Sequence, residues 1–135
     1  MVTRRNLFQG AGTIGAQMLL ASMAEAQSPV KVKSLIEQKI DNIENPLVTV
    51  QLVEFGPGVQ SQPHRHPGPV FGYILEGELL TQVEGSAPAT YKTGDTFYEP
   101  SGHIHVLASN PSKTKTTRFL AMIVGKQGSP PVLPK

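Results

Sequence analysis

Two histidines, His64 and His66, stand two residues apart in the stretch Pro63-His64-Arg65-His66-Pro67-Gly68-Pro69. In an extended chain alternate side chains share a face, so both imidazoles project to one side and Arg65 to the other. Two converging imidazoles are half of a metal site, because the neutral ring suits Zn, Cu, Fe and Ni. The same pair on a solvated strand would be an ordinary surface feature, and spacing alone does not choose between these. A second stretch, Gly94 to His105, carries Glu99, Pro100, Gly102, His103 and His105. The chain has no cysteine, so any metal must be held by histidine and oxygen donors.

The elements that must position these groups read as strands. Leu47 to Phe55 is β-branched and alternates polar residues at Thr49, Gln51 and Glu54, and Gly56-Pro57-Gly58 ends it. Further short strands are expected at Val70–Leu75, Leu79–Val83, Ala89–Lys92, Thr96–Glu99, Ile104–Ser109 and Thr117–Val124. Short strands at this spacing, without a long helical pattern, predict a single all-β domain, a sandwich or barrel. Lys31 to Ile40 fits a helical stripe at Val32, Ile36 and Ile40 as well as it fits an edge strand. Gly125 to Lys135, with Ser129-Pro130-Pro131, is expected to stay outside the sheets as a tail or strap.

The two histidine stretches resemble the paired motifs of the cupin superfamily. The first family motif, G-x5-H-x-H-x3-E-x6-G, is matched by Gly58, His64, His66 and Gly77, with Val70 where the family has its acidic residue. The second, G-x5-P-x-G-x2-H-x3-N, is matched by Gly94, Pro100, Gly102 and His105, with the closing asparagine one residue late at Asn110. The resemblance runs from about Leu47 to Val124 and implies a double-stranded β-helix (jelly-roll) barrel, with Lys31–Ile40 as its first strand. It also implies one divalent metal ion on His64, His66 and His105, with Fe(II) favoured and Mn, Ni or Zn as alternatives. His103 is a spare ring, either a fourth ligand or a donor behind the ligands.

The similarity is to three-histidine, metal-dependent cupin dioxygenases in particular. Some of these carry a glutamate behind the ligands in the second motif, and Glu99 resembles it. That carboxylate would orient a ligand histidine or act as a general base. Val70 removes the carboxylate of a two-histidine-one-carboxylate triad and leaves a bound ion more positive. If Val70 faces the ion, alternation turns Gly72 and Ile74 the same way, and the glycine would leave room for substrate. Phe97 shares parity with Glu99, so it and Met122 or Phe119 would wall the pocket. Small barrels of this kind commonly pair through edge strands, so a homodimer is expected.

The first 26 residues have the character of an export signal: Arg4-Arg5, a weakly apolar run from Gly10 to Ala24, and Ala24-Glu25-Ala26 as a small-x-small cleavage site. The run is shorter than the roughly 20 residues that cross a bilayer as a helix. Thr3-Arg4-Arg5-Asn6-Leu7-Phe8 resembles a twin-arginine signal, with an ordinary secretory signal as the alternative. A periplasmic or secreted bacterial protein follows, divided into signal 1–26, N-terminal segment 27–46, barrel 47–124 and tail 125–135. Removing the signal takes two Arg and one Glu from 12 basic and 10 acidic residues, leaving a net charge near +1. Such a balance gives no electrostatic case for nucleic acid or a membrane surface, and a small molecule is the expected partner. The expected function is an exported oxygen-using enzyme for a small dicarbonyl or phenolic compound. A non-catalytic binding cupin and a metal-dependent lyase or isomerase are the competing classes.

Overall fold

A computed structural model describes residues 30–40 and 44–135, so the expected export signal lies outside the described residues. Ten strands follow in chain order: β1 Lys31–Lys39, β2 Pro46–Phe55, β3 His64–Arg65, β4 Val70–Glu76, β5 Glu78–Val83, β6 Ala89–Lys92, β7 Thr96–Glu99, β8 Ile104–Ser109, β9 Thr117–Lys126 and β10 Leu133–Pro134. They form two five-stranded sheets in the orders β1-β2-β9-β4-β7 and β10-β3-β8-β5-β6, and every pairing is antiparallel. This is an all-β, double-stranded β-helix jelly roll. Among the described residues no helix is long and apolar enough to cross a membrane.

The core lies between the sheets and is built by period-two alternation. On β9, Thr117, Phe119, Ala121 and Ile123 are buried, while Arg118 and Met122 face out. On β4, Val70, Gly72 and Ile74 are buried and Phe71 and Tyr73 are exposed. Ile74 and Leu79 are completely buried, each worth about 1.5–3 kcal/mol relative to exposure. The four motif glycines, Gly58, Gly77, Gly94 and Gly102, all sit at positive φ, as their turns require.

One glycine matters for closeness instead. A Cβ on Gly68 would lie 1.4 Å from the Val124 carbonyl oxygen, so only glycine lets the loop after His66 lie against β9. The Val124 N–H donates to the Pro69 carbonyl at 3.1 Å and ties that loop down.

The tail departs from expectation. Residues 125–135 do not stay outside the sheets: β9 runs on to Lys126, and Leu133 and Pro134 pair with Arg65 and His64 as β10. Proline is tolerated there because β10 is the edge of its sheet. Asn110 closes the other end of the second motif. Its side-chain amide donates to the carbonyls of Phe55, Gly56 and Lys115, and its oxygen accepts from the Ser112 N–H. That set of bonds satisfies a fully buried amide and fixes the loop between β8 and β9.

Candidate metal centre

His64 on β3 is the register partner of His105 on β8, the central strand of that sheet, so this pairing brings the two motifs together. His66 follows one turn of alternation later, and the Gly102 N–H donates to its carbonyl at 2.9 Å. A second stitch, from the Ser101 hydroxyl to the Pro67 carbonyl at 2.9 Å, holds the same two loops. One nitrogen from each of His64, His66 and His105 lies within 4.8 Å of the others. The ring of His64 is 5.0 Å from that of His66 and 5.1 Å from that of His105. Arg65 points to solvent on the other side.

Hydrogen bonds set which nitrogen of each ring is bare. His64 Nδ1 lies 2.8 Å from the Gln62 carbonyl, and His66 Nδ1 lies 2.6 Å from the Pro131 carbonyl. A carbonyl only accepts, so both Nδ1 atoms carry the proton and both Nε2 atoms keep a lone pair. His105 is held from the opposite end, with its Nε2 against Thr81 Oγ1 on β5.

Its Nδ1 is buried without a hydrogen-bond partner, although Glu99 Oε2 is 3.1 Å away: the oxygen lies off the direction a ring N–H would take. The same carboxylate oxygen is 3.7 Å from His66 Nε2. The bare Nε2 atoms of His64 and His66, the Nδ1 of His105 and the Glu99 carboxylate therefore converge on one spot. A cation is what such a donor set lacks, and three imidazoles with a nearby carboxylate fit a divalent transition ion.

Burial holds the pKa of His64 below its ordinary value of 6.5, and the neighbouring His105 and His66 push the same way. The Gln62 carbonyl and Glu99 act in the opposite direction without overcoming burial. His64 is thus kept neutral, the form that binds metal.

The three rings open onto a cavity of about 420 Å³ between the sheets. Its wall is mainly apolar, from Val53 and Phe55 on β2, Val70 on β4, and Phe119, Ala121 and Ile123 on β9. Gln51, Gln60, Ser61 and Gln62 add polar groups, and among the described residues no lysine or arginine lines it. Ser61 Oγ is buried without a hydrogen-bond partner.

Placement of the remaining predicted residues is mixed. Glu99 is buried, 6% exposed, and meets the histidines. Val70, 1% exposed, lines the cavity. Gly72, Ile74 and Phe97 do not. A Cβ on Gly72 would lie 2.0 Å from the Phe97 ring, so the space beside the glycine is filled by that ring and is not left for substrate. Phe97 in turn packs on Tyr91 and Phe119, with centroids 5.6 and 5.7 Å apart, and both Ile74 and Phe97 belong to the buried core. Met122 is 43% exposed and points out of the barrel, because its parity is that of Arg118; Phe119 takes the wall position instead. His103 sits exposed in the turn before β8 and is not one of the converging rings.

Thr81, Gln60, Ser61, Gln62 and the Pro131 carbonyl were not found from sequence. The glutamines continue the two-residue period of His64 and His66 backwards, a signal that was present. Thr81 shares parity with Leu79 on β5, which marks it as inward but not as a partner of His105.

Among proteins of known activity, dimethylsulfoniopropionate lyase DddW of Ruegeria pomeroyi is 37% identical over 60 residues, covering 44% of this chain and 39% of the lyase. The crystal structure of dimethylsulfoniopropionate lyase DddQ from the same organism superposes with a TM-score of 0.62 at 24% identity, over 82% of this chain and 54% of that one. At that identity the likeness is one of fold. Oxalate oxidase in complex with the substrate analogue glycolate superposes with a TM-score of 0.55 at 29% identity, over 64% of this chain and 45% of that one. The chain thus spans between 39% and 54% of the length of these three proteins. Residues 51–123, which hold both histidine motifs and most of the two sheets, match the family described as cupin domain, and the chain belongs to that family.

Proposed function

We propose that this chain is a metal-dependent cupin enzyme, exported from its cell, that uses dioxygen to cleave a small enolisable dicarbonyl or phenolic compound. The observation that carries the reading is an apolar cavity of about 420 Å³ above three converging imidazole nitrogens, with one buried carboxylate beside them. Among the described residues no lysine or arginine lines the cavity to hold a dianion, so the substrate class it suits is compact and weakly charged, with oxygens to chelate the ion. An Fe(II) ion on His64, His66 and His105, when bound, would polarise the chelated oxygens and supply the redox chemistry with dioxygen.

The chain's own residues supply the rest. Val53, Phe55, Val70 and Phe119 enclose the apolar part of the substrate and exclude water. Ser61 Oγ, buried without a hydrogen-bond partner among the described residues, donates to a substrate oxygen. Glu99 accepts the proton that the substrate loses on enolisation, from a position within reach of His66 and His105. Thr81 holds the His105 ring in place.

The test is oxygen uptake by the iron-loaded protein with a panel of β-dicarbonyls and catechols. Uptake matched to substrate loss is the expected result, and Glu99→Gln should retain iron while turnover falls by about 10²–10⁴-fold. Full turnover in Glu99→Gln removes the proton role.

A second reading, a lyase, is favoured by the match to dimethylsulfoniopropionate lyase DddW. It predicts elimination from a β-substituted acid with no oxygen consumed. Tight retention of a ligand without turnover would instead favour a binding protein.

A further inference from the structure

The C-terminal segment is attached to the body of the protein at the metal centre itself. Pro134 pairs with His64 and Leu133 with Arg65, so β10 is laid along the strand that carries the first ligand. Two residues earlier the Pro131 carbonyl accepts the Nδ1 proton of His66 at 2.6 Å. Val132, between these contacts, lines the cavity while remaining 45% exposed, which places it at the mouth. Composition explains why this carbonyl is available. Pro130 and Pro131 have no N–H and stiff backbones, so the segment forms no ladder of its own and presents its carbonyl to a side chain.

We propose that residues 130–134 are a strap that completes the metal centre, with the Pro131 carbonyl as the positioning group for His66 and Val132 as the closure of the cavity. The proposal rests on the three-histidine metal site described above. Docked, the strap fixes His66 in the tautomer whose Nε2 is bare and turns that nitrogen toward His64 and His105. Released, it leaves His66 free to rotate and to carry its proton on Nε2, which cannot then bind an ion. Docking and metal occupancy therefore favour one another, and linkage makes the coupling reciprocal: the ion tightens the strap by the factor with which the strap tightens the ion. Outer partners of ligand histidines are worth about 10–100-fold in metal affinity.

Zinc, which is redox-silent, is the probe. Its affinity is measured by chelator competition for the full chain and for a chain ending at Ser129, with circular dichroism to establish that the shorter chain is folded. The shorter chain is expected to bind zinc about 10–100-fold more weakly. In the full chain, zinc should slow amide exchange of Val132 and Leu133, the two residues of the strap that are not proline, by a similar factor. The ¹⁵N shifts of His66 should report a protonated Nδ1 in the full chain and a mixture of tautomers in the shorter one.

Equal zinc affinities in the two folded chains, or exchange at Val132 and Leu133 that ignores zinc, overturn the strap while leaving the metal centre intact. Failure of the full chain to bind zinc overturns the centre itself. If the shorter chain does not fold, the exchange measurement on the full chain decides.

Discussion

Val70→Glu restores the acidic residue that the first cupin motif lacks here, and its cost follows from the structure. Val70 is 1% exposed, and its register partner across β4 and β7 is Glu99. Removing the buried isopropyl group forfeits about 2 kcal/mol of apolar burial. Directly opposed residues have Cβ atoms about 5 Å apart, and two carboxylates at that separation repel by about 3 kcal/mol at an effective dielectric of about 20. The metal-free variant should therefore lose about 5 kcal/mol near neutral pH, comparable with the whole stability of a small domain. At about 4 °C per kcal/mol its Tm should fall by about 20 °C. Zinc reverses the sign of the interaction, since a divalent ion between two carboxylates is attracted to both. An ion present at about 1,000 times its Kd returns about 4 kcal/mol, so most of the lost Tm should reappear on loading.

The assay is thermal unfolding by circular dichroism, with and without zinc, for the natural chain and the variant. A metal-free variant within about 3 °C of the natural Tm would falsify the placement of Val70 opposite Glu99, since about 5 kcal/mol should be visible many times over. A variant that gains no more from zinc than the natural chain does would refute the placement of the ion within reach of Glu99 and position 70.

Three further outcomes are expected. His105→Ala should abolish zinc retention, read by elemental analysis after gel filtration, whereas Thr81→Val should weaken zinc by about 10–100-fold because the ring is retained but no longer held. In the metal-free chain, the depressed pKa of His64 means that the unfolded state binds its proton first on acidification. That contribution is fully present above the unfolded value of about 6.5 and is lost as pH falls through the lower folded value, so the metal-free Tm should drop on going from pH 7 to pH 5. A Tm from metal-free scans that rises over this range, with His64→Gln behaving identically, removes His64 from the account.

The residues that carry the chemistry were legible because one local rule reaches far. Period two placed His64 and His66 on one face, and the same period gave the strand spans from Leu47 to Val124. Parity alone did not give the phase of β9, where Phe119 to Val124 is an unbroken apolar run. Arg118 was the clue: an exposed cation at an even position sends Leu120 and Met122 outward with it, and leaves Phe119 and Ala121 for the cavity. Gly72 was misread for a related reason. A missing side chain opens space only if no neighbour fills it, and the neighbour, Phe97, is 25 residues away in sequence and opposite in register.

The amino-acid order by itself determined an all-β chain with two histidine motifs and a carboxylate in step with the second. Those are properties of spacing, and spacing along a strand is local. Tertiary structure decided how each ring is held, because that depends on carbonyls and a hydroxyl delivered by Gln62, Thr81 and Pro131 from three different parts of the chain. It also brought the proline-rich end back against the histidines. A hydrogen bond between residues 65 positions apart leaves no periodic trace in sequence, since only the closure of two sheets over one core brings them together.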